Sequence, residues 1–168
     1  MTFEQQLAAG LEGEVVVMGI GNPVRGDDAA GSLVARQILC PPGSRVIDAE
    51  DVPESYLPQI IDQRPDTVVL IDAVDLGAAP GSVAFLESNQ LAEYWPSTHR
   101  MPIGLLMKIL EREAHARVIG IGIQPAHTEF SKPLSDPVRV SVERVAAILN
   151  DALAHGGLAS SAKGEVHA

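Results

Sequence analysis

Four short runs, "VVVMGI" (15–20), "RVIDA" (45–49), "TVVLIDAV" (67–74) and "RVIGIGI" (117–123), are apolar at consecutive positions and rich in β-branched residues. A strand with one wet face alternates polar and apolar side chains. A strand in a parallel sheet covered by helices on both faces does not, so these runs predict such strands. Between them lie "DAAGSLVARQIL" (28–39), "PESYLPQIIDQ" (53–63) and "PIGLLMKILERE" (102–113), and "DPVRVSVERVAAILNDAL" (136–153) closes the series. Their apolar residues recur at about i, i+3, i+4 and i+7, which predicts helices with one buried stripe. Pro102 and Pro137 suit first-turn positions, where a missing N–H removes no helical hydrogen bond.

One run breaks the alternation. "SVAFLE" (82–87) follows the third strand after only "DLGAAPG". A parallel return needs a crossover of about a dozen residues or more, so this strand is expected to run antiparallel to its predecessor. The pattern as a whole predicts a three-layer α/β/α domain with a mixed, about five-stranded sheet. We place that domain at 14–154, with an N-terminal extension at 1–13 and a polar tail at 155–168 that is expected to be disordered.

Charge and composition narrow the function classes. The 168 residues carry 12 Lys and Arg against 22 Asp and Glu, a formal net charge of -10, which opposes binding to nucleic acid or to an anionic membrane surface. A single cysteine, Cys40, cannot form an intramolecular disulfide. The acidic start "MTFEQQLAAGLEGE" lacks the basic and apolar regions of a signal peptide, and no run approaches the roughly 20 apolar residues of a membrane span. A cytoplasmic location without membrane insertion is expected.

The loop "GIGNPVRGDDAAG" (19–31) joins the first strand to the first helix. It resembles a dinucleotide-binding turn, with Asp48 at the end of the second strand in the place of a ribose-binding acid. Two features oppose that reading. The third glycine of the fingerprint is replaced by Val24, and Asp27 and Asp28 stand where a pyrophosphate needs bare backbone N–H groups. Helix capping accounts for one acid, and Asp27 is the better placed cap. Asp28 is left over.

Asp72 ends the buried run "VLIDAV", where an acid is costly unless paired or ligated. In open α/β sheets, ligands gather beyond the carboxyl ends of the strands where the strand order reverses. If the first and third strands are neighbours, Asp28 and Asp72 converge there, while Asp75 reads as a solvated turn residue. Among the histidines, His115, His155 and His167 fall near helix ends or the tail. His99 in "PSTHRMP" and His127 in "QPAHTEF" are the two that loops could turn inward. Two carboxylates and an imidazole suit a divalent ion such as zinc or nickel. Cys40 and Ser32 lack the sequence context of nucleophiles; no G-x-S-x-G frame surrounds Ser32.

The series "GIGNPVRGDDAAG", "VLIDAVDLGAAPG", "STHRMP" and "GIQP" resembles, in that order, the hydrogenase maturation endopeptidases, and "GIQP" with the histidine loop is most similar to their hydrogenase 3 (formate hydrogenlyase) branch. The resemblance implies an endopeptidase that removes a C-terminal extension from a [NiFe] hydrogenase large-subunit precursor after nickel insertion. It implies that nickel, supplied by the precursor, is recognised by Asp28, Asp72 and His99; Asp27 then remains the helix cap, and the glycines bring the backbone close so that a partner's tail can enter. It names no nucleophile; water attacking a metal-polarised amide is chemically reasonable. Two other classes fit the same residues: a metallopeptidase or hydrolase that owns its metal and takes small substrates, and a non-catalytic nickel-dependent maturation chaperone.

Overall fold

The computed structural model describes residues 1–91 and 100–164, the last eight of these as backbone alone. The apolar runs form β1 (Val15–Ile20), β2 (Ser44–Glu50), β3 (Thr67–Ala73), β4 (Val83–Leu86) and β5 (Arg117–Ile123), in the sheet order β2-β1-β3-β5-β4. The pairs β1–β2, β1–β3 and β3–β5 are parallel, and β4–β5 is antiparallel. The helices are α1 (Phe3–Gly10), α2 (Ala30–Arg36), α3 (Leu57–Gln63), α4 (Ile103–Ile109) and α5 (Asp136–Gly164).

Consecutive apolar residues in β1 and β3 serve two cores. Val15, Val17, Val69 and Ile71 pack with Leu7 of α1, Val34 of α2 and Val142 and Leu149 of α5. Val16, Met18, Val68 and Leu70 point the other way, onto Leu57 and Ile60 of α3 and Leu106 of α4. The result is the expected three-layer α/β/α arrangement with a mixed five-stranded sheet.

β4 runs in the expected direction, but its hydrogen-bonded neighbour is β5, which enters the sheet between β3 and β4. Two glycines of β5 make room for it. A Cβ at Gly120 would lie 3.0 Å from the Leu86 Cβ, and one at Gly122 would lie 2.9 Å from the Leu86 Cδ2.

The N-terminal extension is a capped helix. Thr2 accepts a hydrogen bond from the Gln5 amide at 3.1 Å while the Gln5 side chain accepts from the Thr2 amide at 2.9 Å, closing a capping box. Leu7 is fully buried, and Phe3 stacks on Phe85 of the edge strand with ring centroids 4.4 Å apart. At the other end α5 runs to Gly164, so the backbone is helical well into the tail where the composition suggests disorder.

Candidate functional site

β2 lies on one side of β1 and β3 on the other, so the strand order reverses beyond the end of β1. The glycine loop crosses this switch point. After Ile20 the chain passes through Gly21 at φ +153°, where a Cβ would come 1.9 Å from the Asp28 carbonyl oxygen. It then makes a 3-10 turn over Gly26–Ala29 and enters α2. A Cβ on Gly31 would meet the carbonyl oxygens of Ile71 at 2.1 Å and Ile20 at 2.2 Å, and one on Gly19 would meet the Gly31 oxygen at 2.0 Å. The glycines are therefore filled by the chain's own backbone rather than left open for a partner's tail. What they provide is close seating of α2 on β1 and β3, which carries Asp28 over the end of β3.

There Asp28 and Asp72 share the guanidinium of Arg100. Arg100 Nη1 donates to Asp28 Oδ2 at 2.8 Å, and Nη2 donates to Asp28 Oδ1 at 2.6 Å and to Asp72 Oδ1 at 3.1 Å. The backbone N–H of Asn22 adds a bond to Asp28 Oδ2 at 3.0 Å. The side chains of Asp28, Asp72 and Arg100 are 15%, 9% and 21% exposed, so this is a largely buried triad rather than a surface ion pair. Burial, helped by the neighbouring Asp28 charge, pushes the Asp72 carboxyl up to about 7 against the opposing pull of Arg100 and the Ala73 amide. Despite desolvation, Asp72 and Asp28 hold the Arg100 proton more firmly than usual.

When both are ionised, two carboxylates facing one cation leave the cluster one negative charge in excess. Chemically, the pair offers hard oxygen donors already arranged around a positive group, which fits a divalent ion. Among the described residues no group of three His, Cys, Asp or Glu side chains could hold a metal. The expected third ligand, His99, lies outside the described residues, immediately before Arg100 in the chain. Sequence reasoning missed Arg100. The available signal was two buried acids with no cation assigned to them.

Asp27 needs correction. It does not cap its own turn, which has no side-chain cap. Fully buried, its carboxylate instead accepts from the amides of Ala126 (2.8 Å), His127 (3.4 Å) and Ser135 (2.7 Å) and from the Ser135 hydroxyl (2.7 Å). Burial alone would raise its pKa, but these bonds outweigh it and hold the carboxyl below the ordinary range. Asp27 thus ties the β5–α5 connection to the glycine loop. His127 belongs to that connection: its carbonyl accepts from the Asp27 amide at 2.9 Å, and its ring packs on Gly26.

The remaining candidates have structural duties. Asp48 accepts from Ser32 Oγ at 2.7 Å and from Arg36 Nε at 2.8 Å, so neither Asp48 nor the buried Ser32 is free for chemistry. Cys40 is exposed and donates to the Ser44 carbonyl at 3.1 Å. Asp75 is exposed and closes a turn with the Gly77 amide at 3.0 Å. Gln124 of "GIQP" is buried and accepts from the Leu76 and Ala78 amides, fastening the β3–β4 loop.

A mixed α/β sheet with an acid pair at its switch point places the chain among small α/β proteins whose polar groups gather beyond the carboxyl ends of the strands. Its relatives define the class further. Residues 30–152, which include Asp72 and Arg100, match the family model of HycI, hydrogenase maturation protease. The chain is 33% identical over 150 residues to the hydrogenase 3 maturation protease of Escherichia coli K12, covering 88% of this chain and 96% of that one. Among solved structures it is similar to the [NiFe] hydrogenase maturation protease HycI from Thermococcus kodakarensis KOD1, with a TM-score of 0.79, 28% identity and coverage of 90% and 99%. A crystal structure of a hydrogenase 3 maturation protease gives a TM-score of 0.70 at 32% identity, covering 82% of this chain and 89% of that one. The chain belongs to the hydrogenase maturation protease family, and it is a protease.

Proposed function

We propose that this protease removes the C-terminal extension of a [NiFe] hydrogenase large-subunit precursor after nickel insertion, reading the bound nickel through Asp28, Asp72 and His99. The observation that carries this reading is the convergence of Asp28 and Asp72 on one cation at the switch point. The nickel belongs to the substrate, and the two carboxylates complete a coordination sphere begun by the precursor. With Ser32 and Cys40 engaged elsewhere, water is the nucleophile in this scheme, attacking a peptide bond held beside the ion.

The loops at the carboxyl end of the sheet also carry exposed apolar side chains. Val24 after β1, Val52 after β2 and Phe130 after β5 expose large apolar side chains on loops at the carboxyl end of the sheet, and the Ser131 amide ties two of these loops together at the Val24 carbonyl, 2.8 Å away. Cytoplasmic action is part of the same reading. Among the described residues, no helix is long and apolar enough to cross a membrane.

The test is incubation of the protein with nickel-loaded and nickel-free precursor, followed by mass measurement of the large subunit. Loss of the extension from the loaded form alone is expected. Efficient cleavage of the nickel-free form would return the site to an ordinary metallopeptidase, and binding without shortening would make it a chaperone.

A further inference from the structure

We propose that Arg100 is a stand-in cation: its guanidinium keeps the two acids in the geometry of the loaded site, and binding of the substrate's metal is an exchange in which Arg100 swings out. This rests on the reading of Asp28 and Asp72 as the acids that meet the substrate's nickel. Two features of the triad support it.

The first is position. Arg100 spends both terminal nitrogens on the pair, two bonds to Asp28 and one to Asp72, so it fills the space between the carboxylates that a shared ion would need. The second is charge. With both acids ionised, one guanidinium leaves the triad a single excess negative charge; without it, two partly desolvated carboxylates would repel each other. An incoming dication that expelled Arg100 would leave the pair neutral.

The consequence is selectivity against free metal. An ion from solution must displace a bidentate, charge-assisted pair with only the protein's own ligands as recompense. A metal presented by a docked precursor brings its remaining ligands and the contacts of the whole subunit. Arg100 thereby acts as a positioning and specificity residue, not a catalytic one.

The test compares wild type, Arg100→Gln and Arg100→Lys, with folding checked by circular dichroism. Calorimetric titration with Ni2+ alone should show at least tenfold tighter binding to Arg100→Gln and an intermediate gain for Arg100→Lys, whose single ammonium cannot hold both acids in the same way. If Arg100→Gln does not fold, Arg100→Lys decides. Free Ni2+ should inhibit processing of loaded precursor by the variants at concentrations that leave wild type unaffected. In wild type, saturation with diamagnetic Zn2+ should turn the hindered guanidinium NMR signals of Arg100 into those of a freely rotating group, a change that general charge neutralisation would not cause. Unchanged nickel affinity in the folded variants, or a guanidinium still locked at zinc saturation, would overturn the exchange. Wild type that fails to process nickel-loaded precursor would instead defeat the functional reading beneath it.

Discussion

Asp27 and Asp28 are adjacent, yet their carboxylates belong to different parts of the molecule. Asp27 is bound by the amide and hydroxyl of Ser135, 108 residues away, whereas Asp28 is bound by Arg100, 72 residues away. The tight turn at Gly26–Ala29 sends neighbouring side chains in separate directions. One acid fastens the fold and the other joins the triad with Arg100 and Asp72, and the two should respond differently to mutation.

Asp28→Asn and Asp72→Asn keep the size of each side chain but remove its charge. Each should lower precursor processing by at least 100-fold (about 2.7 kcal/mol at 1.36 kcal/mol per tenfold) while leaving the protein folded. Processing is read as the mass change of the large subunit, folding as the thermal midpoint. Near-normal processing by both variants would remove the acid pair from the site.

Asp27→Ala removes a fully buried acceptor from donors at Ala126 and Ser135, residues that are themselves exposed and half-buried. A hydrogen bond to a charged group contributes about 1.5–3 kcal/mol and water can reach part of these donors, so a loss of about 3–5 kcal/mol is expected. For a domain of this size that lowers the thermal midpoint by roughly 10 °C. The helix-cap role suggested by sequence would cost only ~0.5–2 kcal/mol, so denaturant unfolding distinguishes the two.

Gly31→Ala places a methyl group against two backbone carbonyl oxygens, which cannot rotate away as a side chain could. Helix α2 must lift from β1 and β3, carrying Asp28 with it. Overpacking of this kind costs about 1–3 kcal/mol or more. Processing should fall further than stability alone explains, because the acid pair is pulled apart. A variant as stable and as active as wild type would show that the close approach is not needed.

Asp48 supplies a pH dependence away from the triad. Burial alone would raise its pKa, but hydrogen bonds from Arg36 and Ser32 outweigh that and lower it below 3.8. The sign follows: a depressed carboxylate contributes stability that is present above the unfolded value and is lost as pH falls through the folded value. Wild type should therefore lose stability as pH drops below about 4, and Asp48→Asn should show a shallower acid limb. Identical slopes in acid denaturation would contradict the assignment.

Much of the architecture is local information. Consecutive β-branched residues in "VVVMGI" and "TVVLIDA" mark strands buried on both faces, and the helical stripes between them require layers to bury them. The shortness of "DLGAAPG" settles the direction of β4. From these the three-layer fold follows, whereas the meeting of Asp28 with Asp72 was conditional on β1 and β3 being neighbours, which the strand order of the finished sheet supplies. Tertiary structure decided what depends on distant contacts. Loop length limits direction but not neighbours, so β4 pairs with β5, a strand still to come in the chain. The glycine pattern signals a tight approach without saying what approaches; here it is the molecule's own α2 and strand carbonyls. Asp27 found Ser135 and the two acids found Arg100 for the same reason. A buried carboxylate requires a donor or a cation, but its identity depends on which loops the finished fold places beside it.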